Sequence, residues 1–252
     1  MKYQGSTKKY YDMILGVAQR MIEPILENNK KELGKSLMDS ILGANISPSV
    51  NPKISPKEYF IANKLFRPLS EIINTIEAIE NIAIYARSFP YKRQGISQAI
   101  YLKYHIENYL NELYLLKNRL ISYVKLIDKS YKRSKRYEQV AKSILPLHSL
   151  VTDILERYIK VRGAHVHQYR YSDEDFNRLS TLELLSRGEE DFSKIMQNLY
   201  NDAYRETRKI WVEKIKTDIV GIHNLLEYYF KGLLTAISKD GELIFPENIK
   251  MV

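Results

Sequence analysis

Apolar residues recur every three or four positions through most of the chain, and no segment alternates apolar and polar residues as a half-buried β-strand does. The clearest stripe places its apolar positions on one side of a helix about eight turns long. Its members are Leu102, Ile106, Tyr109, Leu113, Leu116, Leu120, Val124, Ile127 and Tyr131. The basic run Lys129–Arg133 ends this helix, where cations suit the negative end of the helix dipole. The pattern therefore predicts an all-α helical bundle.

Three further segments show the same periodicity. The segment before the clearest stripe has Leu65, Leu69, Ile72, Ile76, Ile79 and Ala83, and Phe89-Pro90 ends it. The segment after it has Val140, Ile144, Leu147, Val151, Ile154 and Tyr158, with Pro146 inside, where a kink is expected. The last segment runs from about Glu189 to Ala236, with Phe192, Met196, Leu199, Ala203 and Ile210, then Trp211, Ile215, Ile219, Ile222, Leu226, Tyr229 and Leu233. Its stripe rotates near Trp211, so two helices and one bent helix both fit the pattern.

The N-terminal segment predicts a helix from Thr7 to about Asn28, followed by a weaker helical stretch to Leu42. Prolines then stand at positions 48, 52 and 56, a spacing that disfavours helix and favours an extended linker. The sequence therefore predicts an N-terminal helical extension at residues 1–46, a proline-rich linker at residues 47–58 and the bundle at residues 59–252.

Composition narrows the range of partners. The chain has 39 lysines and arginines against 30 aspartates and glutamates, a net charge of +9, which favours nucleic acid first and an acidic membrane surface second. Cysteine is absent, which excludes disulfides, thiolate metal sites and a thiol nucleophile and fits a reducing compartment. No apolar run has the length of a membrane span, and the start lacks the features of a secretory signal. We therefore expect a cytoplasmic protein that does not bind membranes.

The absence of several known motifs argues against the enzyme classes that use them. The glycines form neither a dinucleotide-binding loop nor a Walker-type loop, and there is no GxSxG elbow and no HExxH zinc motif. Three histidines stand alone in predicted helical segments, and a structural role is expected for each: His105, His148 and His223. Candidate chemistry is therefore restricted to the stretch KVRGAHVHQYRYSDEDF, residues 160–176.

Much of this stretch is explained by the end of one helix and the start of the next. Gly163 fits the residue that ends a helix in the left-handed conformation, and Ser172 fits an N-cap with Asp175 three residues later. The new helix has Phe176, Leu179, Leu182 and Leu185. Capping does not explain the remaining residues, which are Arg162, His165 and His167.

A metal site is one interpretation of the two histidines. It would join His165 and His167 to Asp173 or Asp175, since imidazole and carboxylate are common metal ligands. However, His-x-His places both side chains on one face only in a strand, and the acids are already explained as helix caps. We therefore expect no metal.

A second interpretation comes from Arg162 and His167, which are separated by four residues and lie between two predicted helices. This arrangement resembles the R-x(4–6)-H motif of the HEPN superfamily, compact helical bundles that include many metal-independent ribonucleases. In that family a long helix with a polar stripe comes before the helix that leads into the motif. The segment HIENYLNELYLLKNRL, residues 105–120, resembles that long helix, with Asn108, Glu112 and Arg119 in a line beside the apolar stripe. The resemblance covers about residues 97–190.

The resemblance implies an endoribonuclease in which the RNA 2′-hydroxyl attacks the adjacent phosphate. His167 would transfer protons, because its pKa lies near neutrality, and Arg162 would stabilise charge on the phosphoryl oxygens. His165 would either hold the scissile phosphate or act as the second proton-transfer group. RNA backbone binding and base stacking would fall to Tyr169, Arg170 and Tyr171, with Asn108 and Glu112 supporting the site.

The resemblance also implies partners. In the family, two copies of the motif usually face each other across a two-fold axis, so a homodimer with a composite site is implied, without a cofactor. Toxin–antitoxin and anti-phage systems are typical settings, with a cognate inhibitor protein as a further partner. One departure is Gly163, where the family often has a polar residue. A HEPN-like module that binds RNA or nucleotide without catalysis, and a purely helical interaction protein, therefore stay open as alternatives.

Overall fold

The computed structural model describes residues 3–41, 55–90, 95–163, 174–188, 190–247 and 249, and for residues 22, 24–26, 28–41, 157–163 and 190 it describes the backbone alone. Its helices are α1 (Gly5–Ile41), α2 (Pro56–Phe60), α3 (Arg67–Arg87), α4 (Gln98–Tyr131), α5 (Tyr137–Gly163), α6 (Glu174–Leu185) and α7 (Glu190–Ile237). A π-helical segment, Ile61–Phe66, joins α2 to α3, and two short strands, β1 (Ser238–Lys239) and β2 (Glu242–Leu243), follow α7. The all-α prediction is confirmed.

The chain folds into two compact units, each assembled from separated stretches of sequence. Unit 1 contains Met1–Ser70, Tyr123–Leu147 and Glu227–Val252. Unit 2 contains Glu71–Ser122 and His148–Leu226. Each unit has apolar residues buried in its interior.

Most of the predicted proline-rich linker, residues 47–54, lies outside the described residues. Its last part, Pro56–Glu58, is helical, because Pro56 occupies the first turn of α2, where a proline needs no N–H partner. Ser55 caps this helix in a reciprocal capping box with Glu58. The division into a segment at 1–46, a linker at 47–58 and a bundle at 59–252 stays a prediction.

The core of unit 1 is rich in tyrosine. The buried hydroxyls of Tyr10 and Tyr123 are 2.6 Å apart and hydrogen-bond each other, and the Tyr10 ring packs on Phe230 with 5.0 Å between ring centroids. Tyr131, packed edge-on against Phe60, donates its hydroxyl proton to the carbonyl oxygen of Ile244. Each of these buried hydroxyls therefore has the partner without which its burial would be unfavourable.

The N-terminus of α1 is held by a carboxylate from α7. Glu227 accepts hydrogen bonds from the backbone N–H of Ser6 at 2.6 Å and of Thr7 at 3.1 Å, and from the Thr7 hydroxyl at 3.3 Å. Gly5 precedes them with a φ of 55°, and a side chain there would collide with this carboxylate. Glu227 thus acts as an N-cap supplied by another helix. Unit 1 thereby joins the start of the described chain to its last helix.

A tight hairpin follows α7 and was missed by the sequence analysis. Asp240 and Gly241, with φ of 54° and 83°, form its two-residue turn, and Lys239 pairs with Glu242 across it. An Asp-Gly pair between two short strands is a strong hairpin signal, because both residues tolerate positive φ. The backbone then returns to α7, where the N–H of Ile244 donates to the carbonyl of Ile237.

The predicted stripes are buried to different extents. All nine positions of the α4 stripe are buried. In the segment before it the first five positions are buried and Ala83 is half-buried, and in α5 Leu155 is buried where Ile154 was expected. The backbone of α5 is helical on both sides of Pro146. The periodicity therefore located the core face of α3 and α4 correctly and that of α5 to within one residue.

The structure refines the expectations for α1 and α7. The predicted helix to Asn28 and the weaker helical stretch to Leu42 form one continuous helix, α1, as far as Ile41. Of the two alternatives for α7, the structure has one helix that continues through Trp211. Three predicted core residues of α7 are 44–52% exposed, namely Phe192, Leu199 and Ile210. The buried face of this half of α7 has the predicted Ala203 and Trp211 together with Tyr200, Tyr204 and Thr207, which were not predicted.

None of the described helices combines the length and the apolar character needed to cross a bilayer.

Candidate functional site

The predicted motif falls where α5 ends and α6 begins, as the sequence analysis expected. Arg162 is the next-to-last residue of α5, which ends at Gly163, and α6 starts at Glu174 with two acidic residues in its first turn. Five predicted site residues lie in the connection, outside the described residues: His165, His167, Tyr169, Arg170 and Tyr171. Ser172 and Asp173 lie outside them as well. The backbone context of Arg162 is therefore described, and the convergence of the site side chains stays a prediction.

The start of α6 is fixed by its apolar residues. Phe176 and Leu179 are buried, whereas Leu185 is 40% exposed. At the far end of α6, the carboxylate of Glu183 accepts a 2.7 Å hydrogen bond from the hydroxyl of Ser97, just before α4. Two residues later, the backbone N–H of Ala99 donates to the hydroxyl of Tyr200 on α7 at 3.1 Å. Unit 2 therefore holds the start of α4 against both helices that follow the motif.

The proposed supporting residues lie on the side of α4 that faces α3. Asn108, Glu112 and Arg119 fall within about 40° of one another around the helix at 100° per residue, and all three are half-buried. Arg119 donates to the backbone carbonyl of Glu71 at 3.1 Å and to the hydroxyl of Thr75, both on α3. A supporting role for Asn108 and Glu112 stays a prediction, and their neighbour Arg119 has a structural contact.

A different side of α4 faces α5. Lys117 Nζ lies 3.8 Å from Glu156 Oε1 on α5. Glu156 comes six residues, or about 9 Å along the helix axis, before Arg162. Glu112 is about 140° around α4 from Lys117, whereas Glu107 is about 80° from it. The Oε1 atom of Glu107 is buried and has no hydrogen-bond partner among the described residues. Sequence reasoning did not anticipate this buried carboxylate oxygen of Glu107.

A buried polar pair crosses the core of unit 2. The hydroxyl of Tyr109, on the α4 stripe, donates a 2.6 Å hydrogen bond to Asp218 Oδ2 on α7. Desolvation raises the pKa of Asp218, although the Tyr109 hydrogen bond and the nearby Lys214 act in the opposite direction. Only a weak sequence signal pointed to this pair, because Asp218 lies three residues after Ile215 and four before Ile222, next to the predicted stripe position Ile219.

His105 lies in an aromatic environment near the start of α4. Its ring centroid is 4.5 Å from that of Tyr101, 5.4 Å from Tyr104 and 5.5 Å from Tyr85. Burial lowers the pKa of His105, and its Nδ1 atom is buried without a hydrogen-bond partner among the described residues. A neutral, tightly packed imidazole of this kind fits the structural role expected for it.

The other two isolated histidines differ from His105. The Nε2 atom of His223 is 2.9 Å from Glu80 Oε1, which pairs α7 with α3, whereas His148 is exposed on α5. Within the residues that the structure describes, no group of three or more His, Asp or Glu side chains is arranged to hold a metal ion. The described histidines therefore stand in separate environments.

Comparison of the chain with family models, with curated proteins and with solved structures finds no match.

Proposed function

We propose that this protein is a HEPN-like, metal-independent endoribonuclease that cleaves RNA by 2′-hydroxyl transesterification. The observation that carries the proposal is the position of Arg162 in the last turn of α5, with α6 beginning eleven residues after Gly163. An arginine and a histidine with four residues between them, at such a junction of an all-α protein, match the arrangement of the family motif. The net charge of +9 adds an electrostatic preference for a polyanion such as RNA.

The chemistry needs two functions that this stretch can supply. In the first, His167 or His165 removes the 2′-hydroxyl proton as the oxygen bonds to phosphorus, and the other histidine protonates the departing 5′-oxygen as its bond to phosphorus breaks. In the second, the Arg162 guanidinium donates to the non-bridging oxygens, where negative charge increases in the transition state. The products are a 2′,3′-cyclic phosphate and a 5′-hydroxyl, so no water or cofactor enters this step.

The composite site follows from the same proposal. One chain supplies one Arg162–His167 pair, and a second copy across a two-fold axis supplies the other. We therefore expect a homodimer of the 29.6 kDa chain, and specific activity should fall on dilution below its dissociation constant. A mass measurement by light scattering, made alongside the activity assay, tests both statements.

The central experiment incubates purified protein with single-stranded and structured RNA in excess EDTA. Wild type is compared with Arg162→Ala, His167→Ala and His165→Ala. We expect His167→Ala to lower the cleavage rate about 10²- to 10⁴-fold and Arg162→Ala about 10²- to 10³-fold. The products should carry cyclic phosphate ends, and RNA with a 2′-O-methyl group at the scissile position should resist cleavage.

Matched controls are available in the described residues. Arg178→Ala on α6 and His148→Ala on α5 remove the same side-chain types from exposed positions and should leave the rate unchanged. Absence of EDTA-resistant cleavage would overturn the proposal. Binding of RNA without cleavage would favour the non-catalytic alternative, and cleavage lost only in His165→Ala would reverse the roles assigned to the two histidines.

A toxin or anti-phage role is the setting that we propose for this activity, in the cytoplasm and with a cognate inhibitor protein as a partner. Induced expression should then arrest growth, and the His167→Ala substitution should relieve the arrest. Growth arrest that persists in His167→Ala at equal protein level would separate toxicity from the proposed chemistry.

A further inference from the structure

A concentrated positive charge surrounds the connection between α4 and α5. Residues 125–142 contain seven lysines and arginines and two acidic residues, a net charge of +5 out of +9 for the whole chain. Four of the cations form the connection itself, which we call the basic turn: Lys132, Arg133, Lys135 and Arg136. More than half of the excess charge of the chain therefore lies in about one-fourteenth of its length.

Helix electrostatics accounts for only part of this charge. Lys129, Lys132 and Arg133 lie at the C-terminal end of α4, where cations are favourable. Lys135 and Arg136, however, directly precede α5, where the positive end of the dipole disfavours cations. The basic turn is therefore more positive than its two helices require.

Ion pairs within the described part of the chain do not neutralise these cations. Across the described residues, none of the seven cations forms a salt bridge, and their one side-chain hydrogen bond joins Arg136 to the amide oxygen of Gln139 at 3.0 Å. Several surface cations elsewhere are paired with neighbouring carboxylates. Examples are Arg187 with Glu183, Lys194 with Asp191, Arg205 with Asp202 and Lys216 with Glu213. The basic turn thus presents cations that are available to an external anion.

The turn also has a defined conformation. Two successive backbone hydrogen bonds close it, from Ser134 to Tyr131 at 2.8 Å and from Tyr137 to Ser134 at 3.0 Å. Tyr131 is buried in the core of unit 1, and the Tyr137 hydroxyl donates to Asp128 at 3.2 Å. Because tyrosines anchor both ends, the backbone between them is ordered before any ligand binds, which lowers the entropic cost of binding.

The surroundings favour a phosphate backbone over a membrane. A peripheral membrane site combines cations with exposed apolar side chains that enter the bilayer. From Lys129 to Lys142 no large hydrophobic side chain is among the exposed ones, although every residue of this stretch is described. The guanidinium groups of Arg133 and Arg136 suit bidentate contact with phosphate oxygens, and both lie next to a lysine.

We infer that the basic turn between α4 and α5 is a binding surface for the phosphate backbone of RNA. This surface belongs to unit 1, and the inference concerns binding of the RNA backbone rather than its cleavage. It therefore goes beyond the proposed activity of Arg162 and His167 and can hold or fail independently of it.

The test measures binding of a fluorescent, fully 2′-O-methylated RNA strand, which cannot be cleaved by 2′-hydroxyl attack. The test variant carries Lys132→Gln, Arg133→Gln, Lys135→Gln and Arg136→Gln. The control variant carries Arg187→Gln, Lys194→Gln, Arg205→Gln and Lys216→Gln, which removes the same number of charges from paired positions of unit 2. Dissociation constants are measured between about 50 and 200 mM salt, where phosphate contacts dominate the salt dependence.

We expect the test variant to bind at least about tenfold more weakly, and the slope of log K against log salt to fall by about 0.7 for each phosphate that the variant no longer neutralises. The control variant should keep most of the affinity and the slope. A third variant, with Arg133→Lys and Arg136→Lys, keeps the charge and should keep the salt slope. Far-UV circular dichroism and the urea midpoint establish that each variant is folded.

Equal weakening in the test and control variants would overturn the inference, because net charge alone would then explain binding. Unchanged binding in the test variant would overturn it as well. Vesicles containing phosphatidylserine provide the remaining arm. If the test variant loses vesicle binding but keeps RNA binding, the surface is a membrane site and the inference is wrong.

Discussion

Tyr109 donates a 2.6 Å hydrogen bond to Asp218 inside unit 2, so a carboxyl group 8% exposed lies at the contact of α4 and α7 with one strong partner. A buried carboxylate is unfavourable unless it is paired and hydrogen-bonded. The raised pKa of Asp218, caused first by desolvation, indicates that one hydrogen bond and the nearby Lys214 only partly compensate. The pair therefore makes stability depend on pH.

The first prediction concerns Asp218→Asn. The folded state holds the Asp218 proton to higher pH than the unfolded state, so the wild type loses stability as pH rises through the folded pKa. Asparagine can still accept the Tyr109 hydrogen bond but does not ionise. The free energy of unfolding of the variant, measured by urea titration, should therefore rise relative to wild type from acidic to neutral pH. Asp202→Asn, at an exposed position on the same helix, is the control. If Asp218→Asn lowered the free energy of unfolding by more than about 1 kcal/mol at neutral pH, this account would be contradicted.

The second prediction concerns His105→Phe. Because burial lowers the pKa of His105, the unfolded state binds its proton more readily, and the wild type loses stability as pH falls from the ordinary histidine pKa through the folded value. Phenylalanine keeps an aromatic ring against Tyr101 and removes the buried Nδ1 atom. The free energy of unfolding of the variant should exceed that of wild type by more at about pH 5 than at about pH 7.5. The exposed His148→Gln serves for comparison, and a gain of equal size at both pH values would count against the argument.

The third prediction concerns the cap that Glu227 provides for α1. Desolvation raises the pKa of this carboxyl, but hydrogen bonds from Ser6 and Thr7 outweigh it, so its pKa is lowered overall. Its stabilisation is therefore present above the ordinary glutamate pKa and is lost as pH falls through the folded value. Glu227→Gln should lower stability by about 0.5–2 kcal/mol at neutral pH and increase hydrogen exchange at Ser6 and Thr7. Glu213→Gln, on the same helix but exposed, should do neither.

The fourth prediction concerns close packing at Gly232. A Cβ atom there would lie 2.8 Å from Leu147 Cδ2 and 3.1 Å from Cδ1. The gain of about 1 kcal/mol in helix propensity for Gly232→Ala should be exceeded by a packing cost of about 1–3 kcal/mol. Gly16→Ala, whose nearest contact is 3.7 Å away, should stabilise instead. A double-mutant cycle with Leu147→Ala provides the check, because additive free energies would show that the two residues do not interact.

The sequence predicted the buried positions of a helix correctly where that helix has a single continuous apolar stripe. In α4, apolar residues occupy each turn of the core face, and all nine expected positions are buried. In α7, sequence pattern favoured Leu199 and Ile210, but Tyr200 and Thr207 are the buried residues. Here the packing partner of each face decides which face is buried, and the local periodicity of one helix does not reveal that partner.

For the candidate site, the sequence predicted the helix boundaries on either side of the motif. Local signals located the end of α5 at Gly163 and the start of α6 within two residues of Ser172, because helix caps act over a few positions. Pairs such as Tyr109 with Asp218 depend on the packing of helices distant in sequence. The pairing of Arg162 with His167 stays a prediction, which the mutational test addresses.

The contact of Glu227 with Ser6 and Thr7 has a consequence for biosynthesis. These residues are 221 and 220 positions apart, so the first turn of α1 leaves the ribosome long before its cap is translated. The same holds for the ring of Tyr10, whose partners Tyr123 and Phe230 follow much later. Until then α1 exposes an apolar face, which makes the nascent chain a candidate for chaperone binding and makes closure of unit 1 a late event in folding.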